Sequence, residues 1–384
     1  MLVTYTAPNR AHHYGYATAL AQAGCLKAFV TGFSRFSPRA ALPEIGDKLV
    51  RADHIQNFYL ASQRLHLPAA VTDELAYWSK IWLDWASAKY ARESTAFLFY
   101  NGAGLHTAKK VKSSGAVTIV EAVNSHVLVQ EKILREEFEN LGLSFRRFHS
   151  REVARRVSEY AIADAVLCPS SFVKRSFLEQ GFPENRLLTV PYGFSPHTSS
   201  IAPTKNSDAF RVLYVGQISI RKGLRYLFKA FSKVNHPNKE LWIVGPRARI
   251  SGIDDIAPPP GTKFLGILKG QDLASAYRDS TVFVLPTVED GQALVLGEAL
   301  SFGLPVIATI NSGGLDLYQQ GVEGFHIPIR DSAAIEEKLQ LLADNPSLRV
   351  EMSDAAIRKS QRLGGWSKSG AMLVEALASI SPKT

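Results

Sequence analysis

The sequence predicts an α/β fold of two doubly wound domains that face a cleft. Short apolar runs alternate along the chain with segments of helical spacing, a pattern typical of parallel sheets covered by helices on both faces. A length of 384 residues is enough for two domains, each with its own core. The alternation is interrupted at 195–210 (SPHTSSIAPTKNSDAF), where a polar, Pro- and Ser-rich stretch is typical of a linker. We therefore predict two Rossmann-like domains, at 1–195 and 205–362.

The strand candidates are short runs rich in β-branched and other apolar residues, as expected of strands buried on both faces. Helical spacing is clearest at 153–163, 172–180 and 224–234. A final helix, predicted at 366–380 after two glycines, is expected to pack back on the first domain. The strand candidates are 2–5, 27–30, 96–99, 117–120, 165–167 and 187–190 in the first domain, and 212–215, 241–244, 263–265, 282–285, 306–308 and 324–327 in the second.

Composition indicates the class of partner. The formal net charge is +9 and the pI about 9.4, which favours anionic partners such as phosphorylated small molecules or an anionic membrane surface. Aromatic residues are not arranged to stack bases, so we expect no nucleic acid partner. Two cysteines give no disulfide framework, and no signal peptide or membrane-spanning run is visible. We expect a cytoplasmic protein and leave peripheral contact with the inner membrane face open.

A basic turn follows the first strand of the second domain. The strand 212–215 ends at Gly216, and Arg221, Lys222 and Gly223 then lead into a helix. Helix N-termini favour anions and disfavour cations, so two cations at this end suggest a bound phosphate. The alternative is a solvated basic pair on a loop. A dinucleotide site is not indicated, because NGAG at 101–104 lacks the third glycine and no Walker motif is present.

Two acids follow the strand 282–285. The stretch VEDGQALVLGEAL (288–300) holds Asp290 at a strand-to-helix junction and Glu298 within the following helix. Acids are common at such junctions, so Asp290 could simply favour the helix start and Glu298 could lie on a solvated face. This stretch alone does not decide between structural and functional roles.

The order of motifs in the second half resembles the C-terminal half of family 4 glycosyltransferases, which have the GT-B fold. That family carries two glutamates separated by seven residues at this junction, and here Asp290 and Glu298 hold those positions. The resemblance covers most of 211–329 and extends to 161–173 (AIADAVLCPSSFV) and 190–194 (VPYGF). The motifs are the basic turn (216–223), GP (245–246), FLGIL (264–268), LPTVEDGQALVLGEAL (285–300), GLPVIAT (303–309) and GG (313–314).

The resemblance implies a retaining glycosyltransferase of hexosyltransferase type, with a nucleotide-diphosphate sugar as donor and no cofactor or metal. Arg221 and Lys222 would neutralise the diphosphate, and Glu298 would hold the ribose hydroxyls. Asp290 and the backbone amides of 290–293 would orient the sugar. The predicted catalytic residues are Arg221, Lys222, Asp290 and His126, and the predicted donor-binding residues are Gly15, Gly216, Gly266, Ile267, Gly291, Gln292, Ala293, Leu294 and Glu298.

Some positions depart from the family pattern. Asp290 stands where the family usually has glutamate, and Glu289 beside it could substitute. The usual paired glycines after the first strand are missing, so only Gly15 is available, and we expect His12 and His13 to be polar loop residues. His126 matches a family histidine that points at the donor sugar; a hydrogen-bonded loop histidine is an equally good interpretation.

A basic stretch in the first domain, RRFHSREVARR (146–156), has two interpretations. Arg151, Arg155 and Arg156 share much of one helical face and could contact acidic phospholipid headgroups. We favour a solvated helix face, because one arginine-rich turn is ordinary.

The predicted function is transfer of a sugar to a glycan, lipid-linked or small-molecule acceptor held by the first domain, in polysaccharide or glycoconjugate biosynthesis. Two alternatives remain at this point. One is a nucleotide-sugar epimerase on the same fold, and the other is a non-catalytic protein that binds sugars or polyanions.

Overall fold

A computed structural model describes residues 1–195 and 209–380. It contains two parallel sheets, one on each side of the segment 196–208. Most of the predicted linker therefore lies outside the described residues, while Phe210 already begins a strand. The predicted fold class is confirmed.

The first domain is a seven-stranded parallel sheet with the strand order β3-β2-β1-β4-β5-β6-β7. The order reverses on either side of β1, which places a switch point beside its carboxyl end, where ligands of doubly wound sheets bind. The strands are β1 (Val3–Ala7), β2 (Leu26–Thr31), β3 (Leu49–Arg51), β4 (Ala96–Tyr100), β5 (Val117–Glu121), β6 (Ala165–Cys168) and β7 (Leu187–Thr189).

The second domain is a six-stranded parallel sheet with the order β10-β9-β8-β11-β12-β13, and its switch point lies beside β8. The basic turn follows β8 and the acidic stretch follows β11, so neighbouring strands bring the two motifs to the same edge. The strands are β8 (Phe210–Val215), β9 (Lys239–Val244), β10 (Thr262–Gly266), β11 (Val282–Leu285), β12 (Val306–Thr309) and β13 (Gly324–Ile327).

Helices cover both sheets. In the first domain they are α1 (His13–Gln22), α2 (His54–Arg64), α3 (Ala69–Ala91), α4 (Leu105–Lys112), α5 (Val127–Asn140), α6 (Ser150–Ile162) and α7 (Ser171–Leu178). In the second they are α8 (Leu224–Lys233), α9 (Gly270–Arg278), α10 (Leu294–Ser301), α11 (Ser332–Asp344) and α12 (Pro346–Leu363), followed by α13 (Gly365–Ile380). No helix in the described ranges is both long enough and apolar enough to span a bilayer.

The twelve predicted strands are all present, with ends that shift by one or two residues. The thirteenth strand, β3, was not predicted. It has three residues (LVR), all half-buried, and it lies at the edge of the sheet. A strand this short and only partly buried leaves no apolar run in the sequence.

The last helix lies against the first domain. The Trp366 ring meets the Tyr16 ring edge-on at 6.0 Å, and the Ser369 hydroxyl donates to the Pro191 carbonyl at 2.6 Å. A Cβ atom added to Gly370 would lie 2.3 Å from the Cβ of Ala19, so α13 and α1 are in close contact. The chain thus enters the second domain once and returns to the first.

The two domains also contact each other through buried polar groups. Glu137 of α5 accepts hydrogen bonds from the Tyr226 hydroxyl at 2.9 Å and from the Arg330 guanidinium at 2.7 Å. Nearer the strand ends, the Asp316 carboxylate accepts from the Ser171 amide at 2.8 Å. These contacts hold α5 and α7 of the first domain against α8 and the loops after β12 and β13 of the second.

Candidate active site

The basic turn is a short 3₁₀ helix, Ile220–Lys222, that follows β8. Gly223 ends it with φ +65°, a left-handed conformation that glycine adopts without steric cost, and then begins α8. A Cβ atom at Gly223 would lie 2.1 Å from the Pro286 carbonyl oxygen. The turn is therefore packed directly on the loop that follows β11.

Asp290 lies between the two cations of the turn. Lys222 forms an ion pair with its carboxylate, and Arg221 Nη1 lies 3.5 Å from Asp290 Oδ1. Arg221 Nη1 also donates to the Glu289 carbonyl at 2.8 Å. Burial alone would raise the pKa of Asp290, but the charges of Lys222 and Arg221 outweigh it and the pKa is lowered. The structure thus brings three of the four predicted catalytic residues into one cluster.

Two of the four backbone amides predicted to face the donor are already used. The Asp290 amide donates to the Asn311 carbonyl and the Ala293 amide to the Ser312 carbonyl, both at 3.0 Å. These two amides hold the loop after β11 against the loop after β12, which corrects the prediction. The amides of Gly291 and Gln292 have no hydrogen-bond partner within residues 1–195 and 209–380 and remain available.

The side chains that follow Asp290 contact the first domain. A Cβ atom at Gly291 would lie 1.8 Å from the Val123 carbonyl oxygen, so glycine here permits an approach between domains. The Gln292 side chain accepts from the Tyr192 amide at 2.7 Å and donates to its carbonyl at 3.2 Å. Leu294 packs against the first-domain core. Gly291, Gln292 and Leu294 were predicted to bind the donor. In the structure, Gly291 and the side chains of Gln292 and Leu294 lie at the interface between the domains.

Glu298 lies on α10, where the predicted ribose ligand was expected. The Tyr277 hydroxyl donates to its carboxylate at 2.9 Å. Burial raises the pKa of Glu298, and this hydrogen bond opposes the rise. One carboxylate oxygen, Oε2, accepts from tyrosine, and Oε1 has no hydrogen-bond partner within the described ranges.

The glycines at the ends of β8 and β10 form an open edge. A Cβ atom on Gly245 would lie 2.0 Å from the Gly216 carbonyl oxygen, so the loops after β8 and β9 touch. The Gly245 amide donates to the Gly266 carbonyl at 2.7 Å. Gly266 has φ +67° and no neighbour within 4 Å of a Cβ position, and Ile267 is 61% exposed. This edge therefore places the exposed Ile267 side chain beside the open backbone of Gly266.

Glu289, the neighbour of Asp290, ties the domains together. Its carboxylate is completely buried and accepts from the Ser125 hydroxyl at 2.9 Å, the Ser125 amide at 3.1 Å and the Gln130 amide at 3.0 Å. Its side chain therefore does not replace Asp290 in facing Lys222.

The position of His126 corrects its predicted role. Its ring is 3% exposed and lies within 6 Å of the rings of Tyr160, Phe177 and Phe182. Burial lowers the pKa of His126 to about 4, so the imidazole is neutral at neutral pH. Its Nδ1 accepts from the Leu128 amide at 3.4 Å, which caps α5. The side chain belongs to an aromatic cluster of the first domain, as in the hydrogen-bonded loop interpretation.

Gly15 also has a structural place. It lies in the first turn of α1, and a Cβ atom there would be 2.2 Å from the Trp366 ring. The glycine makes room for α13, which gives it a packing role, and its donor-binding role stays a prediction.

His12 and His13, expected to be loop residues, join a buried polar network around Glu121. One carboxylate oxygen accepts from the Tyr5 hydroxyl at 2.6 Å and lies 3.1 Å from His13 Nδ1. The other accepts from the Tyr192 hydroxyl at 3.1 Å and lies 3.1 Å from His12 Nε2. The charge and hydrogen bonds of the histidines lower the pKa of Glu121 although burial opposes this.

The same three residues form the candidate metal group of the described chain. The ligand atoms of His12, His13 and Glu121 all lie within 4.8 Å of one another. Imidazole and carboxylate ligands suit zinc and other transition metals. However, both carboxylate oxygens are already partnered by two tyrosine hydroxyls, so a metal would have to displace these hydrogen bonds.

The arginines of the stretch 146–156 are held by acids of neighbouring helices. Arg155 forms ion pairs with Asp84 and with Glu159, and only 11% of its side chain is exposed. Arg156 pairs with Glu152 at 2.7 Å and is 12% exposed. The favoured interpretation, a solvated helix face, is therefore wrong for these two residues. Because both are paired and nearly buried, they are also not placed to contact lipid headgroups.

Local sequence patterns carry little signal for these polar residues. Glu121 has one signal, since a single acid ends the otherwise apolar strand VTIVE. Glu289 stands beside the motif residue Asp290 and was considered only as its substitute. Its partners Ser125 and Gln130 lie 164 and 159 residues away along the chain, a separation that no local pattern reveals.

Comparisons with known proteins agree with this architecture. Residues 209–345 match a family model described as Glycosyl transferases group 1. The matched segment contains the basic turn, the acidic stretch and Glu298, and it comprises most of the second domain.

Curated relatives are similar over about half of the chain. A glycosyltransferase of Haemophilus influenzae, described as uncharacterized, is 26% identical over 202 residues, which cover 50% of this chain and 55% of that protein. A lipopolysaccharide 1,2-N-acetylglucosaminetransferase of Salmonella typhimurium is 28% identical over 203 residues, covering 47% and 53%. The chain thus spans about half the length of these curated relatives.

A solved structure is similar over nearly the whole chain. The Anabaena protein HepE, crystallised with UDP, superimposes with a TM-score of 0.70 at 13% identity and covers 99% of this chain and 100% of its own. At that identity the likeness shows the fold. Together these findings confirm the predicted resemblance to GT-B glycosyltransferases, and the narrower assignment to family 4 stays a prediction.

Proposed function

We propose that this protein is a retaining glycosyltransferase that moves a hexose from a nucleotide-diphosphate donor to an acceptor held mainly by the first domain. The observation that supports it is the cluster of Arg221, Lys222 and Asp290 inside the segment that matches the glycosyltransferase family. Glu298 lies on α10, the helix that directly follows the loop of Asp290. This cluster supplies a cationic site for a diphosphate beside a carboxylate for sugar hydroxyls.

The donor would lie along the edge formed by β8, β10 and β11. Arg221 and Lys222, which pair with Asp290 in the structure, would form charge-assisted contacts with the diphosphate. The partly buried Glu298 carboxylate would accept hydrogen bonds from ribose hydroxyls, and Gly266 with Ile267 would contact the base. UDP is a reasonable nucleotide, because HepE was crystallised with UDP and with UDP-glucose.

In the transfer step the bond between the sugar C1 and the diphosphate oxygen breaks, and the acceptor oxygen bonds to the same face of C1. The departing phosphate oxygen takes the acceptor proton, so no side chain needs to act as base. Arg221 and Lys222 would stabilise the charge that develops on this oxygen. The neutral, enclosed His126 is consistent with a step that does not use it.

The acceptor class and the cellular process are inferred from relatives. One of these is a lipopolysaccharide N-acetylglucosaminetransferase, which supports a glycan or lipid-linked acceptor and a role in polysaccharide or glycoconjugate biosynthesis. The epimerase and the non-catalytic protein considered from the sequence are not favoured by any of the comparisons.

Peripheral contact with an anionic membrane from the cytoplasmic side is part of this proposal, now through tryptophans of α3, the helix that contacts the stretch 146–156. Trp78, Trp82 and Trp85 follow each other at helical spacing on α3 and are 47%, 39% and 58% exposed. The Trp85 ring lies 5.8 Å from His106, and Lys109 and Lys110 follow one turn later on α4. Exposed tryptophans beside lysines are typical of surfaces that rest in a lipid interface.

The test of the membrane contact is sedimentation with vesicles. Replacement of Trp78, Trp82 and Trp85 by serine is expected to abolish binding to vesicles that contain phosphatidylglycerol and to leave the fold intact. Equal binding by the variant and the parent protein would refute this contact.

The test of the enzyme is release of nucleoside diphosphate. A panel of nucleotide sugars, beginning with UDP-glucose, is incubated with the protein with and without glycan acceptors, and the products are analysed for bond configuration. We expect Lys222→Ala and Glu298→Ala to lose release, whereas Lys229→Ala and Glu337→Ala, which change exposed residues, keep it. Full release by both site variants would reject this site, and conversion of the donor with its diphosphate bond intact would instead indicate an epimerase.

A further inference from the structure

A polar cavity lies in the first domain, next to the candidate active site. It has a volume of about 410 Å³, within the range of small-molecule sites. It is bounded by α3, α5, α6 and the segment before α6. The lining residues that carry charge are Asp73, Arg146, Arg147, Glu152 and Arg156, with His149 beside them.

The cavity is connected to the proposed donor site through one side chain. Gln130 lines the cavity and donates to the Glu289 carboxylate at 3.0 Å. The Glu289 carbonyl in turn accepts from Arg221 at 2.8 Å. Asn124, another lining residue, follows Val123, whose carbonyl touches Gly291. A molecule in this cavity would therefore lie beside the sugar of a bound donor.

Positive charge is in excess among the side chains that line the cavity, because Arg146, Arg147 and Arg156 stand against two acids, Asp73 and Glu152. Glu152 also forms an ion pair with Lys80, which does not line the cavity, so its one carboxylate serves two cations. An excess of positive charge around a cavity favours an anionic ligand.

Donors of two lining arginines also lack partners. The Nε atom of Arg156 is buried without a hydrogen-bond partner. Arg147 is exposed and forms no ion pair with the acids of residues 1–195 and 209–380. A buried donor without a partner costs free energy, so its presence in a cavity points to a ligand that supplies the acceptor.

We propose that this cavity binds an anionic group of the acceptor, a phosphate, through Arg147 and Arg156. The inference rests on the proposed function, since it names the class of acceptor for that same site. Ion pairs with Asp73 and Glu152 would hold Arg146 and Arg156 in position. The phosphate is carried either by a soluble sugar phosphate or by a lipid-linked acceptor.

The experiment is a thermal-shift titration with inorganic phosphate, in the presence of saturating UDP and at constant ionic strength set with sodium chloride. UDP keeps phosphate out of the donor site. The variants are Arg147→Gln and Arg156→Gln, and the control is Arg358→Gln, which removes the same charge from an exposed residue of α12. Circular dichroism establishes that each variant is folded.

We expect phosphate to stabilise the parent protein and the control equally, and to bind about tenfold more weakly to Arg147→Gln and Arg156→Gln, as loss of a charge-assisted contact implies. The exposed Arg147 keeps the test decisive if Arg156→Gln does not fold. Equal phosphate affinity of Arg147→Gln and Arg358→Gln would overturn the proposal.

Two further measurements are needed. One distinguishes a soluble from a lipid-linked phosphate, and the other distinguishes failure of the anion site from failure of the glycosyltransferase proposal. Vesicles that contain phosphatidylglycerol replace phosphate in a second titration: weaker vesicle binding by Arg147→Gln indicates a lipid-linked phosphate, and unchanged binding indicates a soluble one. Donor turnover is measured separately. Phosphate binding that depends on Arg147, together with no release from any nucleotide sugar, would reject the glycosyltransferase proposal and leave an anion site. Normal release with phosphate binding independent of Arg147 would reject the anion site alone.

Discussion

The Gln130 side chain of the first domain donates a hydrogen bond at 3.0 Å to the completely buried Glu289 carboxylate of the second. Ser125 donates two more, from its amide and its hydroxyl. Because Glu289 directly precedes Asp290, this contact fixes the position of Asp290, the residue proposed to bind the sugar, relative to the first domain. The arrangement of the site thus depends on a bond between domains.

Loss of this carboxylate is expected to destabilise the protein. In Glu289→Ala the donors of Ser125 and Gln130 would be buried without an acceptor, which lowers the free energy of unfolding by about 2–4 kcal/mol. Urea denaturation measures the change. The control is Glu337→Ala, whose side chain is 69% exposed. Similar midpoints for the two variants would contradict a role for Glu289 in holding the domains together.

Lys222→Ala is expected to weaken UDP binding by about tenfold or more, because a charge-assisted contact to the diphosphate is lost. Isothermal titration calorimetry with UDP measures the effect. Lys229→Ala is the matched control, since Lys229 is exposed on the helix that follows the turn. If both variants bind UDP as the parent does, the diphosphate does not lie at the basic turn.

The Tyr277 hydroxyl is expected to set the pH dependence of nucleotide binding. It holds the raised pKa of Glu298 lower than burial alone would, so Tyr277→Phe raises this pKa further. If the ionised carboxylate binds the ribose, UDP affinity then fails at a higher pH as the solution is acidified. Affinity measured from pH 4.5 to 8 should show this shift, and Tyr90→Phe should not.

The same change gives an internal check on the fold. A carboxyl whose pKa is raised on folding stabilises the folded state at low pH, and this contribution is lost as the pH rises through the folded pKa. As the pH falls over this range, the contribution of Glu298 to the free energy of unfolding should therefore rise while the affinity for UDP falls. A parallel change in both would mean that Tyr277→Phe acts through general destabilisation.

Gly15→Ala is expected to affect stability and not donor binding. The added Cβ would overlap the Trp366 ring, an overpacking that costs about 1–3 kcal/mol. The double variant with Trp366→Ala removes the overlap and should recover part of that loss relative to Trp366→Ala alone. UDP affinity of the folded single variant should equal that of the parent, and a specific loss of affinity would restore Gly15 to the donor site.

His126→Phe tests the corrected position of this histidine. Phenylalanine fits among Tyr160, Phe177 and Phe182, so the variant should fold and its kcat should fall less than about threefold, far from the 10²–10⁴-fold of a lost acid–base group. The comparison is with Lys222→Ala in the same transfer assay. A loss in His126→Phe as large as that in Lys222→Ala would show that the imidazole contacts the donor.

The fold was predictable because parallel strands buried on both faces produce apolar runs. The central strands carry this signal, whereas the edge strands Leu49–Arg51 and Thr262–Gly266 contain no fully buried residue. The cluster of Arg221, Lys222 and Asp290 was predictable for a similar reason, since β8 and β11 are neighbours and each motif directly follows its strand.

The contacts of the site with the first domain were not predictable. Motif position alone assigned Gly291 and Gln292 to the donor, whereas their partners Val123 and Tyr192 lie far away in the sequence. The aromatic cluster that encloses His126 likewise comes from separate helices. Sequence patterns report the period of local structure, and which distant side chain fills a given space follows only from packing.

The return of α13 to α1 has a consequence for the order in which the chain is completed during synthesis. The surface of α1 around Ala19 has no cover until residues near Gly370 have left the ribosome, although the rest of the first domain is made much earlier. The face of α1 that α13 covers would therefore stay exposed while the second domain is translated. A chain that stops before α13 would leave this apolar face open and become a substrate for chaperones or proteases.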